Sequence, residues 1–174
     1  MTMGKQLTNP PNQGRRQEQM HLVSFVIGAE EFGVDILKVR EINRISEVTR
    51  VPNAPEFISG VINLRGKVIP IVDLRTRFGF TKKEADKHTR IVVVEMAGRV
   101  VGFIVDAVRE VLRISDGIVE PPPQMVAGIG SEYITAVAKL DDRLLILLDL
   151  EQILLNKELH SLPSEPESKE LVIS

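Results

Sequence analysis

The sequence VINLRGKVIP, residues 61–70, consists of two apolar runs joined by the short polar link LRGK. A glycine in so short a link is typical of a tight turn between antiparallel strands, so the stretch predicts a β-hairpin. The hairpin would present a charged side chain, Arg65, at its tip. Pro70 interrupts the second strand and cannot donate a ladder hydrogen bond, which predicts a sheet edge or a bulge at this point.

Short apolar runs of the same kind recur along the chain and predict a mainly β protein. They are rich in β-branched residues and are separated by turn residues, as strands are. The runs are residues 22–28, 31–36, 60–64, 67–74, 90–96, 99–105 and 143–150. Helices are expected to be few and short, at residues 53–58, 73–79 and 149–159, each beginning at an Asn or Asp cap. Residues 34–42 fit a strand or a helix.

A weak internal repeat divides the chain into two halves. A shift of 69 positions aligns residues 39–41 with residues 108–110, and a shift of 76 aligns Asp73 with Asp149. The order strand, hairpin, bend, hairpin, helix recurs as well, which is typical of a duplicated unit. We therefore expect two small β-barrel-like subdomains packed together. The aligned identities are Gly33, Val39, Arg40, Glu41, Leu64, Asp73 and Leu74 with Gly102, Val108, Arg109, Glu110, Leu140, Asp149 and Leu150.

Two of the predicted strands, residues 67–72 and 144–150, are apolar at nearly every position and do not alternate. A strand is apolar at successive positions when both of its faces are buried. We expect each of them to line its own barrel with one face and to contact the other barrel with the second.

The composition argues against several classes of function. The net charge is −2, and the chain has one Tyr and no Trp, so it lacks the positive field and stacking platforms of a nucleic-acid-binding protein. The absence of cysteine excludes disulfides and thiolate chemistry. No run approaches the roughly 18 apolar residues that would span a bilayer. These features predict a soluble, cytoplasmic protein with a disordered N-terminal segment, residues 1–19, and a flexible tail, residues 158–174.

No group of residues points to catalysis, a metal or a cofactor. The histidines, His21, His88 and His160, have no metal-ligating neighbours at helical or turn spacing. Residues 60–68 resemble a phosphate-binding loop only superficially, because Gly60 and Gly66 are separated by five residues and an apolar valine replaces the required hydroxyl. We expect the aspartates at strand ends to cap turns and helices.

Four segments resemble the CheW-like family of bacterial chemotaxis coupling proteins. They are residues 31–42, 47–75, 98–112 and 131–154, and the most specific part is PNAPEFISGVINLRGKVIPIVDLR at residues 52–75. The resemblance covers residues 20–157. It implies two SH3-like five-stranded β-barrels packed together, with short helices at the barrel ends and a C-terminal helix.

The resemblance also implies a function. Such proteins are non-enzymatic adaptors, mostly monomeric alone, that bridge chemoreceptor cytoplasmic tips and the regulatory domain of the histidine kinase CheA. They reach receptor arrays at the inner membrane only through the receptors. By motif, the implied receptor-binding residues are Gly60, Arg65, Val108 and Val111, and the implied kinase-binding residues are Val39, Glu41 and Met125. Glu120 stands near the proline run, where family members often carry a basic residue for a second kinase contact.

Two alternatives remain open at the level of sequence. One is a coupler for a kinase pathway unrelated to chemotaxis. The other is a small-molecule-binding or hydrolytic β-barrel that uses the turn at Asp141 and Asp142. A deep pocket with converging carboxylates would favour the latter, whereas a shallow apolar groove would favour an adaptor.

Overall fold

The computed structural model describes residues 19–122 and 133–153, and within them the chain is built mainly from short strands. The strands are β1 Gln19–Ile27, β2 Glu30–Asp35, β3 Val39–Arg44, β4 Ile58–Leu64, β5 Lys67–Asp73, β6 Arg90–Met96, β7 Arg99–Val105, β8 Ala107–Ser115, β9 Val119–Glu120, β10 Ile134–Lys139 and β11 Leu144–Leu148. The helices are α1 Leu74–Arg77 and α2 Leu150–Ile153, and 3-10 turns occupy Ile36–Lys38 and Asp116–Ile118.

The strands form two barrel-like sheets with matching strand orders. Sheet A has the order β8-β1-β2-β11-β10-β9, and sheet B has the order β3-β6-β7-β5-β4. The predicted fold class is confirmed, and sheet A adds the two-residue β9 to its five main strands. In sheet B the corresponding place beside β4 is taken by an isolated bridge between Thr49 and Val61.

Each sheet contains one hairpin from the other half of the repeat. The β1–β2 hairpin of the first half lies in sheet A with β8 to β11, and the β6–β7 hairpin of the second half lies in sheet B with β3 to β5. The pairing follows the repeat, since Ile71 lies opposite Gly102 in one sheet and Leu147 lies opposite Gly33 in the other. Neither half of the chain can therefore complete a sheet without the other.

Three hydrophobic clusters account for the strands that are apolar on both faces. Sheet A encloses a cluster that includes Leu145 and Leu147, and sheet B encloses one that includes Ile69 and Ile71. A larger cluster fills the space between the sheets and receives the opposite faces of β11 and β5, with Leu148 and Val72 among its members. The predicted burial of both faces is confirmed. We call this larger cluster the shared core.

The prediction that Pro70 marks a sheet edge is wrong, and the bulge lies one residue pair away, at Ser59 of β4 opposite the step from Ile71 to Val72. β5 lies inside sheet B, between β7 and β4, and the β4–β5 register is regular where Pro70 faces Val61. Val61 directs its N–H and C=O to Thr49, at 2.8 Å each, so Val61 and Pro70 form a non-hydrogen-bonded pair. The missing proline N–H therefore removes no bond from the β4–β5 ladder.

The prediction of a helix at residues 53–58 is also wrong. Residues 52–53 and 56–57 form turns, and β4 begins at Ile58. Asn53 has a φ of +65°, which is outside the right-handed helical region, and prolines stand on both sides of it at positions 52 and 55.

The predicted aspartate caps are present at both helices. The Asp73 carboxylate accepts a hydrogen bond from the Arg75 N–H at 3.0 Å, and Asp149 accepts one from the Glu151 N–H at 3.0 Å. The predicted helix 149–159 is described only as far as Ile153. The predicted segments 1–19 and 158–174 lie almost wholly outside the described residues and stay predictions. No helix within the described ranges is both long and apolar enough to cross a membrane.

Candidate protein-binding site

The hairpin quoted at the outset holds Arg65 in a defined position. Arg65 and Gly66 both have positive φ angles, +53° and +86°, as a type I′ hairpin turn requires. The Asn63 side chain accepts a hydrogen bond from the Gly66 N–H at 2.9 Å, which fixes the turn. The guanidinium is thereby presented at the end of sheet B without being buried.

Arg65 forms a two-point ion pair with Glu41 of β3. Nη1 donates to Oε2 at 2.5 Å, and Nη2 donates to Oε1 at 2.7 Å. The Arg65 side chain is 70% exposed and that of Glu41 is 23% exposed. The hydrogen bonds from Arg65 lower the pKa of Glu41, so the carboxylate stays charged. Because β3 and β4 are the two edges of sheet B, the pair links one edge to the turn that follows the other.

The edge strand β3 presents apolar side chains next to this ion pair. Val39 is partly buried and packs against the shared core, while Ile42 is 38% exposed. A bulge at Arg40, between the residue pairs formed by Val39 and Glu41, breaks the regular register. A bulged edge is a poor template for unspecific strand pairing. The exposed face of β3 is therefore suited to contact through side chains.

The edge strand β8 of sheet A repeats this arrangement. Val108 packs against the shared core, and Val111, at the position equivalent to Ile42, is 63% exposed. The bulge falls at Arg109, which is equivalent to Arg40. Glu110, the equivalent of Glu41, accepts a hydrogen bond from Arg143 Nη2 at 2.8 Å. Arg143 lies in the β10–β11 turn, just as Arg65 lies in the β4–β5 turn.

The second ion pair differs from the first by including a buried carboxylate. Arg143 Nε donates to Glu31 Oε1 at 2.6 Å, and the Glu31 side chain is only 7% exposed. Arg109 Nε lies 3.9 Å from the other Glu31 oxygen. The hydrogen bond to Glu31 raises the pKa of Arg143. Arg143 thus ties a buried charge to the exposed edge strand, and we expect it to contribute more to folding than Arg65 does.

Gly60 has a structural role that is independent of any partner. It is buried with a φ of +149°, and a Cβ at this position would lie 2.1 Å from the Thr49 carbonyl oxygen. The close approach allows Thr49 to bridge to Val61 on β4. Gly60 therefore shapes sheet B and presents no side chain to a binding protein.

The turn proposed for a hydrolytic function is not a pocket. Asp141 and Asp142 are both exposed, and Asp142 shares Arg143 with Glu31 and Glu110, so the carboxylates that meet at this turn are paired with an arginine. Within residues 19–122 and 133–153 no group of three or more His, Cys, Asp or Glu side chains is placed to hold a metal ion.

Comparison with known proteins gives the family of this chain. The model of the CheW-like domain matches residues 21–158. The chain belongs to the CheW-like family. Chemotaxis protein CheW of Klebsiella aerogenes is 42% identical to this chain over 135 residues, which cover 78% of this chain and 81% of that protein. Chemotaxis protein CheW of Treponema pallidum is 36% identical over 149 residues, covering 83% of this chain and 88% of that protein.

A solved structure agrees with the family membership. The crystal structure of the scaffolding protein TtCheW from Thermoanaerobacter tengcongensis superposes on this CheW-like chain with a TM-score of 0.74 at 41% sequence identity. The match covers 79% of this chain and 93% of that one. The resemblance found in the sequence is confirmed.

The structure groups the sequence-predicted residues of this CheW-like chain differently from their implied roles. Arg65 and Glu41, expected on the receptor and kinase sides respectively, form one ion pair beside Val39. Val108 and Val111 lie together on the other sheet. Met125 lies outside the described residues.

The sequence did not indicate three residues that contribute to these edge strands and their ion pairs. They are Ile42, Glu110 and Arg143. The 69-residue repeat relates Val111 to Ile42 and Glu41 to Glu110, so the first two could have been found by applying the repeat to each predicted site residue. Arg143 has no such signal, because residue 65 aligns with residue 141 at the shift of 76.

Proposed function

We propose that this chain is a non-enzymatic chemotaxis scaffold that couples chemoreceptor cytoplasmic tips to the histidine kinase CheA. The observation that carries the proposal is the pair of equivalent edges, β3 and β8, on two sheets that share one core. Each edge exposes an apolar side chain near a glutamate that an arginine holds in place. An adaptor needs two such surfaces on one body to hold two partners at once. The relatives include a chemotaxis protein and a scaffolding protein, which supports the same function.

We assign the β8 edge to the receptor and the β3 edge to the kinase. Val111 is the more exposed of the two equivalent apolar residues, and with Val108 it offers a strip against which a helix of the receptor tip can pack. Val39 and Glu41 on β3 then contact the regulatory domain of the kinase. Met125 belongs to the second kinase contact in this proposal. The scaffold acts in the cytoplasm and joins membrane arrays through the receptors.

The Arg65–Glu41 pair supplies a route from one partner to the other. Arg65 is largely exposed and has donors that an incoming carboxylate can take, whereas Glu41 is mostly covered. In this proposal the receptor tip on β8 also reaches Arg65 at the end of sheet B with a carboxylate, which competes with Glu41 for the guanidinium. Once Glu41 is released from Arg65, the surface that it presents to the kinase changes. Receptor binding thereby changes the affinity of the chain for the kinase.

Two matched variants test the assignment of the edges. Calorimetric titrations compare Val111→Glu with Ile42→Glu, which place the same new charge at equivalent positions of β8 and β3. We expect Val111→Glu to weaken binding of a receptor-tip fragment roughly tenfold or more and to spare the kinase regulatory domain, with the opposite result for Ile42→Glu. Arg113→Glu, at another exposed position on β8, is the control for charge alone. Equal losses of both partners in both variants would refute the assignment.

A further inference from the structure

A groove of about 560 Å³ lies on the loop between β3 and β4. Its apolar lining includes Val51, Pro52, Ala54 and Pro55, and its charged lining consists of Arg50, Lys82 and Glu56, so that the cations outnumber the single carboxylate. Val51 is partly exposed, so the apolar floor is accessible. The groove suits an extended segment that carries both acidic and apolar side chains.

The chain carries such a segment in its own C-terminal region, outside the described residues. Residues 165–173, EPESKELVI, contain three glutamates and one lysine and end in three consecutive apolar residues. The acidic part complements Arg50 and Lys82, and the apolar part complements the floor of the groove. Two prolines at positions 163 and 166 favour an extended backbone.

The point at which this region leaves the described fold lies close to the groove. The Ile153 carbonyl accepts a hydrogen bond from Arg77 Nε at 2.9 Å, and the Arg77 guanidinium lies 4.3 Å from the centre of the Phe57 ring. Phe57 stands between Glu56 and Ile58, both of which line the groove. One arginine side chain therefore separates the end of α2 from the wall of the groove.

The connecting chain is long enough to close the remaining distance. Eleven residues, 154–164, join Ile153 to the acidic segment. When extended, they span about 35–40 Å, far more than one arginine side chain. A tethered segment also meets its site at an effective concentration in the millimolar range, so a weak site suffices.

We propose that residues 165–173 dock into the groove of the same molecule, with their glutamates near Arg50 and Lys82 and their apolar end against Val51 and the prolines. The docked segment covers the loop before β4 and makes the groove unavailable to other acidic peptides while it is bound. This inference does not depend on the partners proposed for the β3 and β8 edges.

Paramagnetic relaxation in the full-length chain tests the docking. The chain has no cysteine, so Ser174→Cys introduces one attachment site for a nitroxide and leaves the proposed segment intact. We expect the amide signals of Val51, Asn53 and Glu56 to lose most of their intensity, while those of β8 keep theirs. Arg50→Glu with Lys82→Glu should abolish this local loss, and the control pair Arg44→Glu with Lys67→Glu should preserve it.

Each other outcome overturns the proposal. Uniformly weak broadening, or broadening centred on another surface, would mean that the segment does not occupy the groove. Isotope-labelled chain without nitroxide is also mixed with unlabelled chain that carries it. Broadening of the groove signals in that mixture would show that the segment comes from a second molecule, contrary to docking within one chain.

Discussion

Glu41 and Glu110 occupy equivalent positions on two edge strands, and each carboxylate accepts hydrogen bonds from an arginine of the facing hairpin turn. The distances are 2.5 and 2.7 Å from Arg65 to Glu41 and 2.8 Å from Arg143 to Glu110. In both sheets, the same kind of ion pair therefore joins an edge strand to a hairpin turn. The two copies differ in burial, because only Arg143 also binds the buried Glu31.

This difference predicts an order of stability effects. We expect Arg143→Met to lower the melting temperature clearly more than Arg65→Met, because it leaves the buried Glu31 charge without its hydrogen-bonding arginine and with only Arg109 at 3.9 Å. Arg65→Met removes the arginine from Glu41, whose side chain is 23% exposed and so more accessible to water than that of Glu31, which is 7% exposed. Thermal melts of the two variants at neutral pH measure the order. Equal melting temperatures would show that Glu31 does not depend on Arg143.

Gly60→Ala should destabilise the fold, whatever its effect on receptor binding. The added Cβ would overlap the Thr49 carbonyl, and the φ of +149° disfavours any side chain, so we expect a loss of at least about 3 kcal/mol. Gly66→Ala is the control, because its φ of +86° is also unfavourable but no atom lies within 4 Å of the added Cβ. A loss of about 1–2 kcal/mol is expected there. Urea unfolding distinguishes the two, and a stable Gly60→Ala chain would contradict the packing described here.

The equivalent glycines of the two sheets should tolerate alanine unequally. A Cβ on Gly102 would lie 2.7 Å from Ile71 Cδ1 and 2.8 Å from Ile91 Cγ2, whereas the nearest atom to a Cβ on Gly33 is 3.2 Å away. We expect Gly102→Ala to cost about 1–3 kcal/mol and Gly33→Ala less than about 1 kcal/mol. Denaturant midpoints of the two variants provide the measurement. The reverse order would mean that sheet B packs less tightly than sheet A at this position.

Asp86 should titrate far below an ordinary aspartate. The hydrogen bond from Lys83 Nζ at 2.9 Å and one from the His88 N–H at 2.8 Å lower its pKa to about 2. Because the pKa is lower in the folded state, the stabilisation is fully present above about pH 4 and is lost as the pH falls towards 2. Carbon-13 NMR of the carboxyl group measures this pKa directly. A value near 4 would show that the loop before β6 does not hold Asp86 in this way.

Local sequence patterns predicted the strands, the aspartate caps and the hairpin that presents Arg65, because each depends on residues close together in the chain. Such patterns could not predict that each sheet contains one hairpin from the other half of the chain. A period of 69 residues shows that two units exist, but it does not show which sheet each hairpin joins. The Pro70 prediction failed for the same reason, since only the bridge from Thr49 determines which way the groups of Val61 point.

Prediction of the candidate site from the sequence was limited in a similar way. The family motif indicated Arg65 and Glu41 separately, 24 positions apart, and nothing in the motif links them. Their pairing follows from the closure of sheet B, a tertiary feature. The role of Gly60 likewise depends on a backbone oxygen from a distant loop. Motif positions can therefore act through the fold as well as through contact.

The central claim is that one molecule holds a receptor tip and the kinase regulatory domain on separate edges at the same time. The most direct test titrates the kinase regulatory domain by calorimetry into the chain already saturated with a receptor-tip fragment. We expect full binding with an affinity within about tenfold of that without receptor, the change being the coupling through Arg65 and Glu41. Loss of kinase binding when the receptor site is full would contradict the account, because it would mean that both partners use one surface.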